Sequence, residues 1–223
     1  MRLREQRLIN TEQVEAIPAW LARAHGNTAA RRLAQSDWLL RRKSDGRFLA
    51  VLDGASLQPL APAAMKPHSG IGDALRAVAR GFGVDVELDE HAEPYAALGI
   101  AADYGESHQL RPVPEPAELD YAGRDRYQRP LWLLAPAARA WRRMRDAALR
   151  DEVLLDAISG YRSHAYQLGI FHRKLARGQT IEQILSVNAA PGYSEHHSGR
   201  AIDIGTPGQP PAEESFENTP AFA

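Results

Sequence analysis

The sequence predicts an α+β chain on three observations: an Asp-Gly pair between two apolar runs, helix-period segments closed by glycine, and short apolar runs of strand length. Asp37 to Gly54 is the hairpin. Its two arms, rich in Leu, Phe, Val and Trp, flank Ser44-Asp45-Gly46, where Asp-Gly supplies the positive backbone angles of a tight turn. The Ala/Pro stretch 57–67 breaks regular structure. Ile71, Leu75, Val78 and Phe82 recur at helical spacing, Gly83 ends that helix, and Val84 to Leu88 reads as a short strand. A second break, RPVPEPAE at 111–118, marks the expected boundary between a small α+β region, residues 1–115, and a second region, residues 121–223.

In the second region, Pro136 suits the first turn of a helix running to about Arg150. Trp141, Met144 and Ala148 are expected on its inner face, and Arg139, Arg142, Arg143 and Arg150 on its wet side. Val153 to Ile158 reads as a mostly buried strand leading into Ser159-Gly160-Tyr161-Arg162-Ser163. A helix follows from about His164 to Ala176, stopped by Gly178, and Thr180 can cap a further short helix before Pro191-Gly192 breaks the chain.

Composition narrows the chemistry. The chain has 223 residues, 44% hydrophobic and 25% charged, enough to bury a real core in one or two domains. It has no cysteine, which excludes a disulfide scaffold, a Cys-ligated metal and a Cys nucleophile. No apolar run approaches the roughly 18 residues needed to span a bilayer. Formal charge is +4 over residues 1–60, −5 over 61–130 and zero over 131–223, unlike the single-sign footprint of a nucleic-acid binder. Arg31-Arg32 and Arg41-Arg42-Lys43 therefore read as solvated faces, and no nucleic-acid partner is expected. The opening MRLREQRLIN lacks the apolar stretch of a secretory signal, so the expectation is a cytoplasmic chain or one whose leader has been removed.

The segment carrying chemistry is GYSEHHSGRAIDIG, residues 192–205. On a strand, Ala201 and Asp203 share one face and Ile202 and Ile204 the other. His196, seven positions before Asp203, precedes Gly199, where the chain can fold back to bring both side chains to one ion. A neutral imidazole and a carboxylate are part of a catalytic zinc shell, but the pair by itself leaves a hydrogen bond or a surface pair open.

The string Ser194-x-His196-x-x-Gly199-x-Ala201-x-Asp203 resembles the SxHxxGxAxD signature of the VanY-type zinc D-alanyl-D-alanine carboxypeptidases. Ser159-Gly160-Tyr161-Arg162-Ser163 with Gln167 is similar to the same family's SGYRS…Q motif, and the helix bearing Trp141 and Met144 and the approach VNAAPGYSEHHSG are similar too. The resemblance covers about residues 121–223. It implies a small antiparallel sheet with flanking helices, Zn2+ held by His196 and Asp203, an oxyanion stabilised by Arg162, and a pocket for the terminal D-alanine lined by Gln167 and Ser194. The implied partner is a peptidoglycan stem peptide or a D-Ala-D-Ala precursor, and the implied location is the cell envelope or periplasm. His197 is expected to point away from the ion.

The family also carries a C-terminal Glu two or three residues before a His, general base and third ligand respectively, whereas this sequence has no histidine after His197. Glu213, Glu214 and Glu217 lie in a Pro-rich tail and are expected to be solvated. The expectation is a C-terminally truncated member with weak or no hydrolysis of its own. A non-catalytic module that keeps Arg162, Gln167 and Ser194 for binding stands as the alternative.

Overall fold

A computed structural model of the protein describes residues 6–54, 56–81, 83, 92–211 and 213–222. The expected strand at Val84–Leu88 and the helix-end residue Phe82 lie outside the described residues. The fold is α+β with antiparallel sheets and flanking helices.

The strands β1 (Arg7–Asn10), β2 (Val14–Pro18), β3 (Trp38–Arg42), β4 (Phe48–Asp53) and β5 (Ser56–Pro59) form an antiparallel meander. Helix α1 (Asn27–Gln35) lies between β2 and β3. The β3–β4 turn is the hairpin expected from Asp-Gly: Gly46 has φ +69° and its N–H donates to the Arg42 carbonyl at 2.9 Å. Strand period two sorts the side chains into rows. Ile9, Ala16, Leu40 and Ala50 align across four strands on one face, covered by Ile71, Ala74 and Ala77 of α2 (Ile71–Arg80). Leu8, Leu119, Ile17, Leu39 and Val51 fill the other face with Leu21 and Trp132.

After α3 (Ala92–Leu98) and α4 (Tyr104–Ser107), β6 (Glu118–Arg124) and β7 (Pro130–Leu133) return to this same sheet. β6 pairs with β1, so the order is β5-β4-β3-β2-β1-β6-β7 and one sheet runs across the Pro-rich segment 111–118. Helix α5 (Ala135–Arg150) packs Ala138 and Trp141 against Ala122, Leu131 and Leu133. Met144, expected inside, is 40% exposed. Only the first turns of α5 dock; beyond them the Arg145 guanidinium covers the Trp141 ring at 5.8 Å, and Leu149 is exposed as well.

A second, two-stranded sheet pairs β8 (Asp156–Ser159) with β9 (Asp203–Gly205), both shorter than the apolar runs that announced them. Ile202 and Ile204 pack on the α5 cluster, leaving Asp203 on the opposite, open side. Helices α6 (His164–Leu175) and α7 (Ile181–Leu185) bury Phe171 and Ile184 against Leu98, Ile100 and Tyr104. Thr180 caps α7 in a reciprocal capping box with Gln183.

Candidate active site

Two segments, Gly160–His164 at the end of β8 and Ser194–Gly199 before β9, are laced together by three hydrogen bonds. His196 Nδ1–H donates to the Gly160 carbonyl at 2.7 Å, Arg162 N–H donates to the His196 carbonyl at 3.3 Å, and His197 Nδ1–H donates to the Arg162 carbonyl at 2.6 Å. Carbonyls only accept, so both imidazoles carry a proton on Nδ1. Ser194 begins the tight turn by accepting from the His196 N–H, and Gly199 ends it at φ +66°. A Cβ at Gly199 would lie 2.5 Å from Leu119 Cδ2, and one at Gly160 would lie 2.7 Å from Leu131 Cδ1. Glycine at both positions lets the two loops seat directly on the large sheet.

His196 is thus buried with Nε2 free of the backbone and 3.3 Å from Asp203 Oδ1. Two ligands at about 2.0–2.1 Å from a tetrahedral zinc stand about 3.3 Å apart, so these atoms have the separation that one ion requires. The Gly160 carbonyl fixes the orientation of the His196 ring, as an outer hydrogen bond does for imidazoles that bind metals. Burial acts to raise the Asp203 pKa, but the hydrogen bond and charge of His196 and the charge of Arg162 outweigh it and hold the carboxyl below its ordinary value. Asp203 is therefore an anion at neutral pH. Among the described residues no third His, Cys, Asp or Glu joins the pair.

Arg162 and Gln167 both present buried polar atoms without partners, Arg162 Nε and Gln167 Oε1. Gln167 is 1% exposed, and its Nε2 donates to the Ala189 carbonyl at 3.0 Å. Burial lowers the Arg162 pKa against the opposing pull of Asp203 and Glu195. A buried donor and a buried acceptor left open on adjoining elements cost free energy unless something pairs with them, the usual mark of a ligand pocket.

His197 points away from Asp203, as expected. Its Nε2 accepts from the Gly192 N–H at 2.9 Å, and burial, then the charge of His164, push its pKa down to about 3. It is a neutral brace between the two loops.

Sequence reasoning missed a buried cluster beneath the site. Lys43 was expected on a solvated face, yet its side chain is 1% exposed and its Nζ lies 2.5 Å from Glu115 Oε2. Its long stem carries the ammonium inward, where the Glu115 carboxylate neutralises it and the Thr11 carbonyl accepts a further hydrogen bond at 3.0 Å. Glu115 also accepts from Asn10 Nδ2 at 3.0 Å, from the Tyr161 hydroxyl and from the His164 N–H at 2.8 Å. Burial acts to raise its pKa, but Lys43, His164 and the Asn10 hydrogen bond overcome that and bring it to about 2. The sequence signal was faint: one Glu inside a Pro-rich segment that read as a boundary.

Residues 131–223 match the profile of the VanY family, D-alanyl-D-alanine carboxypeptidase. No curated protein matches the chain significantly. Among solved structures, that of the LdcB LD-carboxypeptidase, which concerns peptidoglycan recognition, is 33% identical over 40% of this chain and 42% of its own, with a TM-score of 0.37. A mutant VanY D,D-pentapeptidase from a VanB-type vancomycin resistance cassette, in complex with Zn(II), is 31% identical over 35% of this chain and 48% of its own, with a TM-score of 0.31. The chain therefore spans less than half the length of either.

Proposed function

We propose, taking the VanY-matched segment as premise, that this protein acts on D-alanine-terminated peptides of peptidoglycan as a zinc-dependent carboxypeptidase. The observation that carries this reading is the 3.3 Å approach of His196 Nε2 to Asp203 Oδ1, with the imidazole locked by Gly160. These two residues would hold Zn2+. When bound, the ion polarises a carbonyl and lowers the pKa of a water.

The chain's own side chains do the rest. The Arg162 guanidinium, permanently charged and partly desolvated, donates to the oxygen on which negative charge develops. Gln167 and Ser194 line the recess that takes the terminal residue: the Gln167 amide oxygen is open to accept, and its nitrogen is anchored on Ala189. Asp203, ionised at neutral pH, offers its carboxylate to the cation, and neutral His197 keeps the Arg162 loop in register without adding charge.

A zinc titration followed by assay of D-alanine release from a tetrapeptide, a pentapeptide and the free dipeptide tests the proposal. Zinc uptake with release from one of them supports it and assigns the substrate; release of none, with zinc bound, refutes it. A second reading is a module that binds such peptides through Arg162, Gln167 and Ser194, the first two with open buried polar atoms, without cleaving them. Peptide affinity without turnover, lost in Arg162→Ala, is its signature.

A further inference from the structure

The cluster beneath the site joins two parts of the chain that the VanY-matched segment does not span: Asn10, Lys43 and Glu115 all precede residue 131. Every strong contact that Glu115 makes toward the site falls on a neighbour of Arg162. Oε2 takes the Tyr161 hydroxyl, one residue before it; Oε1 takes the backbone N–H of His164, two residues after it. His164 Nε2–H donates to the Val113 carbonyl at 2.8 Å, two residues before Glu115, so the same Pro-rich segment grips the loop twice. The His164 ring meets His197 edge-on at 4.4 Å, and His197 in turn holds the Arg162 carbonyl. Arg162 itself leaves Nε unpaired.

We propose that Glu115 is a positioning residue: its carboxylate, neutralised by Lys43, clamps Tyr161 and His164 on either side of Arg162 and thereby fixes where that guanidinium points. The role assigned to Arg162 rests on the function proposed above, but the clamp does not. A buried carboxylate with four donors is rigid in a way that a hydrophobic contact is not, because moving it strands a charge. The pairs with Lys43 and Asn10 tie this clamp to β1 and to the chain just after β3, so the large sheet serves as its anvil. Pro114 and Pro116 on either side restrict the segment that carries it.

The test uses the whole chain. Arginine side-chain Nε–H signals are recorded by 1H–15N NMR, with the Arg162 signal assigned by its loss in Arg162→Lys. In Tyr161→Phe, which removes one hydroxyl and spares the Lys43–Glu115 pair, and in Glu115→Gln, the Arg162 signal is expected to shift and exchange faster with solvent. The exposed control Asp73→Ala leaves it in place. D-alanine release is expected to fall about tenfold to a hundredfold in kcat, with little change in KM, because the oxyanion donor is misplaced. An unchanged Arg162 signal in folded Tyr161→Phe overturns the clamp, even if its Tm drops, and it does so alone should Glu115→Gln fail to fold. If the wild type releases no D-alanine, the proposed function falls, while the NMR result still decides the positioning.

Discussion

His196 and Gly160, 36 residues apart, are joined by a 2.7 Å hydrogen bond from the imidazole Nδ1 to the glycine carbonyl, and this bond turns the other ring nitrogen toward Asp203. It requires the strand end at Gly160 and the turn at His196 to touch without an intervening side chain. The main consequences can each be measured.

Removing either candidate ligand should abolish tight zinc binding. His196→Ala and Asp203→Ala are each expected to weaken zinc affinity by more than about 100-fold, beyond the range usual for loss of an outer-shell partner. Competition with a chromophoric chelator measures this directly, and wild-type affinity in either variant would remove both residues from the centre.

Alanine at Gly199 faces two penalties, a left-handed backbone at φ +66° and a Cβ placed 2.5 Å from Leu119 Cδ2. The expected loss is about 2–5 kcal/mol by urea denaturation, summing the left-handed cost and the overpacking cost. Gly160→Ala meets the same crowding at Leu131 and should lose about 1–3 kcal/mol.

Stability should carry the titration of Glu115. Its folded pKa, about 2, lies below the ordinary value of 4.5, so its contribution is fully present above pH 4.5 and drains away as the pH falls toward 2. The loss is on the order of 3 kcal/mol over that window. Denaturation of wild type and Glu115→Gln at several pH values isolates it: the gap between them should narrow on acidification, and a constant gap would contradict the assignment.

Arg162→Lys should separate function from stability. Lysine keeps the charge but loses the planar fork and the Nε donor, so turnover is expected to fall about 10²–10³-fold, the usual cost of one oxyanion donor. Because Nε pairs with nothing in the folded chain, the Tm should not fall appreciably. A large loss of Tm would make Arg162 a structural residue.

Much of the candidate site's local geometry was legible in the sequence because its signals are local. The Asp-Gly turn, the Thr180 cap and the ordered residues from Ser194 to Asp203 act over a few positions, where backbone geometry follows from residue type. Met144 and Lys43 were not legible. Helical spacing placed Met144 inward, but α5 docks only by its first turns; local charge placed Lys43 outward, but its partner lies 72 residues away.

The sequence by itself determined the α+β class, the hairpin, the caps and the candidate site residues. Only the tertiary structure decided that Asp203 meets His196 at ligand distance, that Arg162 and Gln167 keep open polar atoms, and that Glu115 and Lys43 lie beneath them. The division has a physical cause: turns and caps are settled by short-range sterics and hydrogen bonds. A buried ion pair is favourable only once burial and both partners coincide, and that depends on how β1, β3 and β8 are brought together.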